Sequence, residues 1–208
     1  MTLKLNGSSS GYTAIDAPAA AGSNTLTLPT GNGNNKEVLQ TNGSGALTWA
    51  KPGTIIQVVS NHITDTHSEA LATTHWATLG SFSNTTITPS SASNKIMVSG
   101  WMSVGISAGM IVYLRMRRGS TVIGEADAAG SRRQGMAAAS PEYVNRIVSI
   151  PFWYIDSPNT TSATTYSVQL AHPSSSTRTI YINRDDTDND AATGCRVCSS
   201  IVLQEIAA

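Results

Sequence analysis

The sequence predicts an all-β protein, a C-terminal jelly-roll-type β-sandwich preceded by an N-terminal arm or stalk of short β-strands. Three observations predict it. Apolar and β-branched residues recur in short runs, and Gly, Pro, Asn and Asp punctuate those runs at the roughly 8–12-residue spacing of sandwich strands. No long stretch carries the 3.6-residue apolar period of a helix. Charged residues make up only 12% of the 208 residues, while small hydroxyl and amide side chains are abundant, a surface composition suited to exposed strands and turns.

Residues 1–50 hold the short strands of the arm: Leu3-Lys4-Leu5 before Asn6-Gly7, Tyr12 to Ala17 before Pro18, and Thr25 to Leu28 before Pro29. Val38-Leu39-Gln40, the turn Asn42-Gly43 and Leu47-Thr48-Trp49 follow. Strands this short cannot close a core alone, so the segment is expected to gain order against other chains, with Leu26 and Leu28 as apolar anchors for attachment. Lys51-Pro52-Gly53 reads as a linker at 51–53, because proline restricts its predecessor and glycine punctuates.

Residues 54–208 form the jelly-roll domain. Its expected strands are Thr54 to Ser60, Trp76 to Phe82, Thr85 to Thr88, Ile96 to Ile106, Ile111 to Arg117, Ser120 to Ala126, Tyr143 to Tyr154, Thr164 to Ala171, Thr179 to Asn183 and Arg196 to Glu205. Pro89, Pro141, Pro158 and Pro173 fall between them, where they cost no ladder hydrogen bond. Ser68 to Thr74 and Ser131 to Ser140 read as loops, with a short helix as the alternative for each. The second contains Arg132 and Arg133 in a small-residue setting, which marks a loop for function or an interface.

The balance of 13 basic against 13 acidic residues argues against nucleic acid as a partner. No apolar run approaches the roughly 20 residues of a membrane span, and the N-terminus lacks the apolar region of a signal peptide, so no membrane insertion and assembly in a host cytoplasm are expected.

The motifs that carry chemistry elsewhere are incomplete here. Cys195-Arg196-Val197-Cys198 has the spacing of half a zinc site, but no second pair exists, and it opens an expected strand on which residues three apart face opposite ways. Asp185-Asp186-Thr187-Asp188-Asn189-Asp190 concentrates oxygen donors suited to calcium, with Asp186, Asp188 and Asp190 as the candidate ligands; the competing reading is a polar hairpin tip neutralised by Arg184. His62, His67 and His75 stand near Asp65 and Glu69, yet no Gly-x-Ser-x-Gly elbow fixes a nucleophile, and the glutamates are scattered. No cofactor and no catalytic activity are expected. In Phe152-Trp153-Tyr154, alternation sets Trp153 on the opposite face from its neighbours, leaving open which face is exposed; Trp153, with Arg132 and Arg133, is a candidate glycan or interface contact.

The order of several segments resembles tail-fibre-like proteins of bacteriophages. These are Leu5-Asn6-Gly7-Ser8, Ala17-Pro18-Ala19, Asn24 to Pro29, Val38 to Gly45 and Leu47-Thr48-Trp49, then Ile87 to Ile96, Ala126 to Arg132, Asp156-Ser157-Pro158, Tyr181 to Arg184 and Ile201 to Ala207. The resemblance implies a non-enzymatic virion-surface protein that works as a homotrimer. Its partners would be itself, other virion proteins of the tail or capsid through residues 1–50, and a host surface glycan or protein. A short tail fibre or adhesin is the first expectation, capsid decoration or cement the alternative, and a polysaccharide hydrolase the remote one.

Overall fold

The computed structural model describes all residues except 1, 2, 21, 51–54, 73, 74, 80–82, 193 and 208. It is all-β, with no α-helix among the described residues and none long and apolar enough to cross a membrane. The chain divides into two compact units, Met1–Pro52 and Gly53–Ala208. The linker expected at 51–53 and the ends of two expected strands, at Thr54 and at 80–82, lie outside the described residues.

The first unit consists of two separate hairpins. β1 (Leu3–Asn6) pairs with β2 (Tyr12–Ile15), and β3 (Val38–Thr41) pairs with β4 (Leu47–Ala50). Every residue of β1, β2 and β3 is exposed, so neither hairpin has a core of its own. The second hairpin gathers the preceding loop. Thr27 bridges to Ala46, and Trp49 lies so close to Gly33 that a Cβ there would enter its ring, while its indole N–H donates to Gly31 O at 2.7 Å. Leu26 and Leu28 flank the bridge at Thr27, stand 65% and 69% exposed, and touch no core.

The second unit is a jelly-roll-type sandwich of two six-stranded antiparallel sheets. One holds β5 (Ile55–Ile63), β6 (His67–Leu71), β9 (Lys95–Ile106), β13 (Val148–Asp156), β15 (Arg178–Ile182) and β16 (Ser199–Ile206). The other holds β7 (Ala77–Thr78), β8 (Thr85–Ile87), β10 (Val112–Arg118), β11 (Thr121–Ile123), β12 (Ala137–Ala139) and β14 (Thr164–Ala171). The chain crosses between the sheets after β6, β8, β9, β12, β13 and β14, and this repeated crossing rolls the hairpins into the jelly-roll arrangement.

Period-two alternation builds the core. On β10, Val112, Leu114 and Met116 face inward while Tyr113, Arg115 and Arg117 face out; on β14, Tyr166, Val168 and Leu170 do the same against Thr165 and Gln169. Gly100 on β9 sits between Phe152 of β13 and Ile201 of β16, and a Cβ there would run into the Ser200 carbonyl and come within 2.9 Å of the Phe152 ring. Gly100→Ala is therefore expected to destabilise the sandwich by about 1–3 kcal/mol through overpacking, read as a lower melting temperature.

One sheet line is interrupted. β15 and β16 do not pair with each other; both pair with the same side of β9, β15 at 104–106 and β16 at 95–101, so they run in line with residues 183–198 looped out between them. Their neighbours β5 and β6 are in line in the same way, broken at 64–66. The expected hairpin tip at 185–190 is thus corrected to an excursion from one continuous strand path. Asn183 holds its base. Fully buried at a positive φ of 61°, it donates from Nδ2 to Ile63 O (2.9 Å) and Asp65 O (2.8 Å), and accepts at Oδ1 from the Ser199 hydroxyl (2.7 Å).

Two buried acids close one end of the sandwich. Asp156 on β13 accepts from Arg118 Nη1 at 2.8 Å on both oxygens and from the Tyr166 hydroxyl at 2.7 Å, tying the sheets together. Burial, and then the hydrogen bond to Asp156, push the Tyr166 phenol well above its usual range. Glu205 on β16 accepts from Asn94 Nδ2 (2.6 Å) and from Ser90 N and Oγ (2.6 and 2.8 Å). Burial alone would raise its pKa, but these donors outweigh it and hold the carboxyl below its ordinary value of 4.5. A folded-state pKa below the unfolded one means stability that is present above the unfolded value and lost as pH falls through the folded one. The melting-temperature advantage of the native chain over Glu205→Gln is expected to shrink as pH is lowered from neutral through the range below 4.5.

Two further expectations are corrected. Residues 67–71 form β6 and residues 137–139 form β12, where loops or short helices were expected; each is held by its pairing, β6 with β15 and β12 with β10. β13 begins at Val148 rather than Tyr143, and Pro151 is accommodated because β13 pairs only with β9.

Candidate interaction surface

The sandwich's first sheet turns an almost uncharged face outward. Register sets it out in three rows across β5, β16, β9 and β13: Val58, Gln204, Met97 and Ile155; Ser60, Val202, Ser99 and Trp153; His62, Ser200, Trp101 and Pro151. Trp153 is 70% exposed, Val58 57%, Ile155 44% and Trp101 38%. Its neighbour Phe152 is buried and Tyr154 half-buried, so alternation separates the triplet with Trp153 on the outer side. Trp101 is fixed by its indole N–H, which donates to Cys198 O at 3.0 Å.

No Asp, Glu, Lys or Arg occupies these rows. At about 4.8 Å between strands and two residues per row, the three rows span roughly 400 Å², within which Trp153, Val58, Ile155 and Trp101 are the exposed large apolar side chains and Gln204, Ser60, Ser99, Ser200 and His62 are polar. The opposite outer face is polar. There Arg115 of β10, Gln169 of β14 and Thr78 of β7 lie in one register row, and Thr86 and Thr165 share a 2.7 Å hydrogen bond.

The acidic loop does not gather its carboxylates. Asp185 Oδ1 accepts from Thr187 N and Asp188 N at 3.1 and 2.7 Å, a local turn. Asp186 accepts from Asn145 N at 3.0 Å, and Asp188 pairs in a fork with Arg196, at 3.0 Å to Nε and 2.7 Å to Nη2. The Arg196 hydrogen bonds hold the Asp188 carboxyl below its ordinary range. Among the described residues no group of three His, Cys, Asp or Glu is placed to hold a metal ion, and Asp186, Asp188 and Asp190 do not converge. Arg196 forms the ion pair, and Arg184, expected as the neutralising residue, adds a smaller favourable charge on Asp188 while lying over Tyr181 at 4.4 Å.

Cys195 and Cys198 are free thiols in the same excursion. The strand starts at Ser199, so the facing argument made for an Arg196 start does not apply to them. His67 Nε2 lies 3.4 Å from Glu69, and His62 sits on the outer face of β5, two separate settings. Buried His172 accepts at Nδ1 from Ser174 N, which assigns its proton to Nε2, 3.1 Å from Leu71 O.

Arg132 and Arg133 lie together with Trp76, Arg115 and Glu125 around one depression. Trp153 belongs to the other sheet, so the structure separates it from the arginine pair with which it was grouped.

No protein-family model matches the chain, and no curated protein matches it. Among solved structures, it is similar to a chain in a structure of infectious bursal disease virus, Gx strain, with 12% identity and a TM-score of 0.38 over 78% of this chain and 39% of that one. A chain in the Gt-strain structure gives 10% identity and a TM-score of 0.36 over 77% and 40%. The present chain spans about two-fifths of the length of these chains.

Proposed function

We propose that the chain is a non-enzymatic structural protein of a bacteriophage particle. It works as a homotrimer, with residues 1–50 docking on the particle and the jelly roll displayed outward as a short tail fibre or adhesin. The observation that carries this reading is the uncharged outer face that exposes Trp101 and, at its β13 edge, Trp153.

A second copy of the same chain is the occupant this face suits. Only residues beside a three-fold axis meet their own copies, and a charge there would confront its like; elsewhere the contact is between different surfaces of neighbouring copies, and an uncharged face enters it without burying an unpaired charge. Its roughly 400 Å² is about half of the roughly 800 Å² per partner that a stable interface buries, so flanking residues would have to supply the rest. The number three comes from the resemblance to trimeric tail-fibre-like proteins.

The first unit supports an attachment role by its lack of a core. β1, β2 and β3 are exposed throughout, and Leu26 and Leu28 present largely exposed apolar side chains. A ribbon of this kind also suits bridging between neighbouring capsid subunits, which favours capsid decoration as the second reading. Copy number on purified particles separates the two: a few trimers for a fibre, tens to hundreds for a decoration protein. Deleting residues 1–50 is expected to leave a folded trimer that no longer joins the particle, measured by sedimentation with particles; loss of folding on truncation contradicts the two-part account.

A further inference from the structure

The depression around Trp76 and Arg115 is a built polar site on the face opposite the apolar one. Three strands organise it. Gln169 Nε2 donates to Thr78 Oγ1 at 2.6 Å, and Arg115 Nε donates to Gln169 Oε1 at 2.8 Å. The Arg115 guanidinium also lies 4.4 Å from the centroid of the half-buried Trp76 ring. Held on one edge and one face, the guanidinium is fixed, while its two terminal nitrogens donate to no group among the described residues. The loop carrying Arg132 and Arg133 is closed at its base by Ala126 N to Gly135 O at 3.2 Å and by Gln134 Nε2 to Ala126 O at 3.0 Å.

Charge there is unbalanced. Arg115, Arg132 and Arg133 face a single acid, Glu125, and none of the three forms an ion pair within 4.0 Å among the described residues. Burial, with the neighbouring charges of Arg117 and Arg133, lowers the Arg115 pKa against the opposing pull of Glu125, so a bound anion relieves an existing strain.

We propose that this depression binds carboxylated sugar units of an acidic polysaccharide, the carboxylate lying between Arg115 and Arg133. A planar carboxylate fits the fork of a guanidinium, Ser131 and Gln134 supply partners for ring hydroxyls, and the exposed part of Trp76 offers apolar surface to the C–H side of a sugar. A single depression on a chain of zero net charge does not provide the extended phosphate contacts that nucleic acid needs. The assignment rests on reading the sandwich as a displayed surface domain, and it names that domain's ligand class.

The test is binding of the full chain to polygalacturonate, with dextran, dextran sulfate and single-stranded DNA in parallel. Polygalacturonate is expected to bind and dextran not to. Arg133→Ala, in an exposed loop, and Arg115→Gln are each expected to weaken binding at least about tenfold, equivalent to about 1.4 kcal/mol, with unchanged melting temperature for Arg133→Ala. Absence of polygalacturonate binding, binding indifferent to both substitutions, or tighter binding of dextran sulfate or DNA overturns the proposal. The outcome is distinguishable from that of the assembly reading: a trimer that ignores polygalacturonate defeats only the ligand assignment, and a monomer that binds it through Arg133 defeats only the trimer.

Discussion

Asn183→Ala is expected to destabilise the sandwich by about 3–5 kcal/mol. Asn183 is fully buried and joins three strand ends: its amide nitrogen serves the carbonyls of Ile63 and Asp65 where β5 breaks from β6, and its amide oxygen takes the Ser199 proton where β16 begins. Alanine removes these three hydrogen bonds, at about 1–3 kcal/mol for each buried polar group that water does not reach; Ser199 Oγ keeps its bond from Ser103 N at 2.9 Å. It also puts alanine at φ 61°, a left-handed conformation that asparagine tolerates better. For a domain of this size the loss corresponds to a drop in melting temperature of about 10 °C. Asn183→Asp tests the cause, because it keeps the shape and turns a double donor toward two carbonyls into an acceptor. It is expected to be at least as damaging as alanine at neutral pH, read by thermal melting, whereas equal stability of all three proteins would show that the seam is held by backbone pairing alone.

Trp153→Glu is expected to dissolve the proposed trimer without unfolding the chain. The side chain is 70% exposed in the isolated sandwich, so its replacement removes little folding energy, yet it stands in the central row of the uncharged face between Ser99 and the solvent edge of β13. A tryptophan that acts as an interface hot spot contributes about 2 kcal/mol or more on truncation, about 30-fold in Kd, and a carboxylate in its place adds the cost of burying an unpaired charge. Val202→Glu, next across the same row, is expected to act likewise. Light scattering of each variant beside its melting curve separates loss of association from loss of fold.

How much of this was legible in the sequence depended on whether a signal was local. Thr164–Ala171 and the body of β9 were readable because alternating apolar residues mark an inward face along a single run. β12 was not, since three alanines carry no facing signal and the strand exists through its pairing with β10. β6 was hidden for a related reason: His67, Ser68 and Glu69 are polar, and only Leu71 is apolar and buried. The in-line arrangement of β15 and β16 is a statement about a third strand, β9, and no run of residues around 183–198 announces it. The two surfaces divide in the same way. Alternation set Trp153 apart from Phe152 and Tyr154 but not which side is exposed, whereas the depression combines Trp76, Arg115 and Arg133 from elements far apart in the chain, of which only the adjacent arginines in a small-residue loop gave notice.

The measurement that bears most directly on the account is the mass of the unmodified full-length chain in solution at micromolar concentration, by light scattering coupled to size exclusion. The account predicts a single species of three times 21.8 kDa, converted to one of 21.8 kDa by Trp153→Glu. A monomer of 21.8 kDa for the unmodified chain, or a trimer indifferent to Trp153→Glu and Val202→Glu, would contradict it.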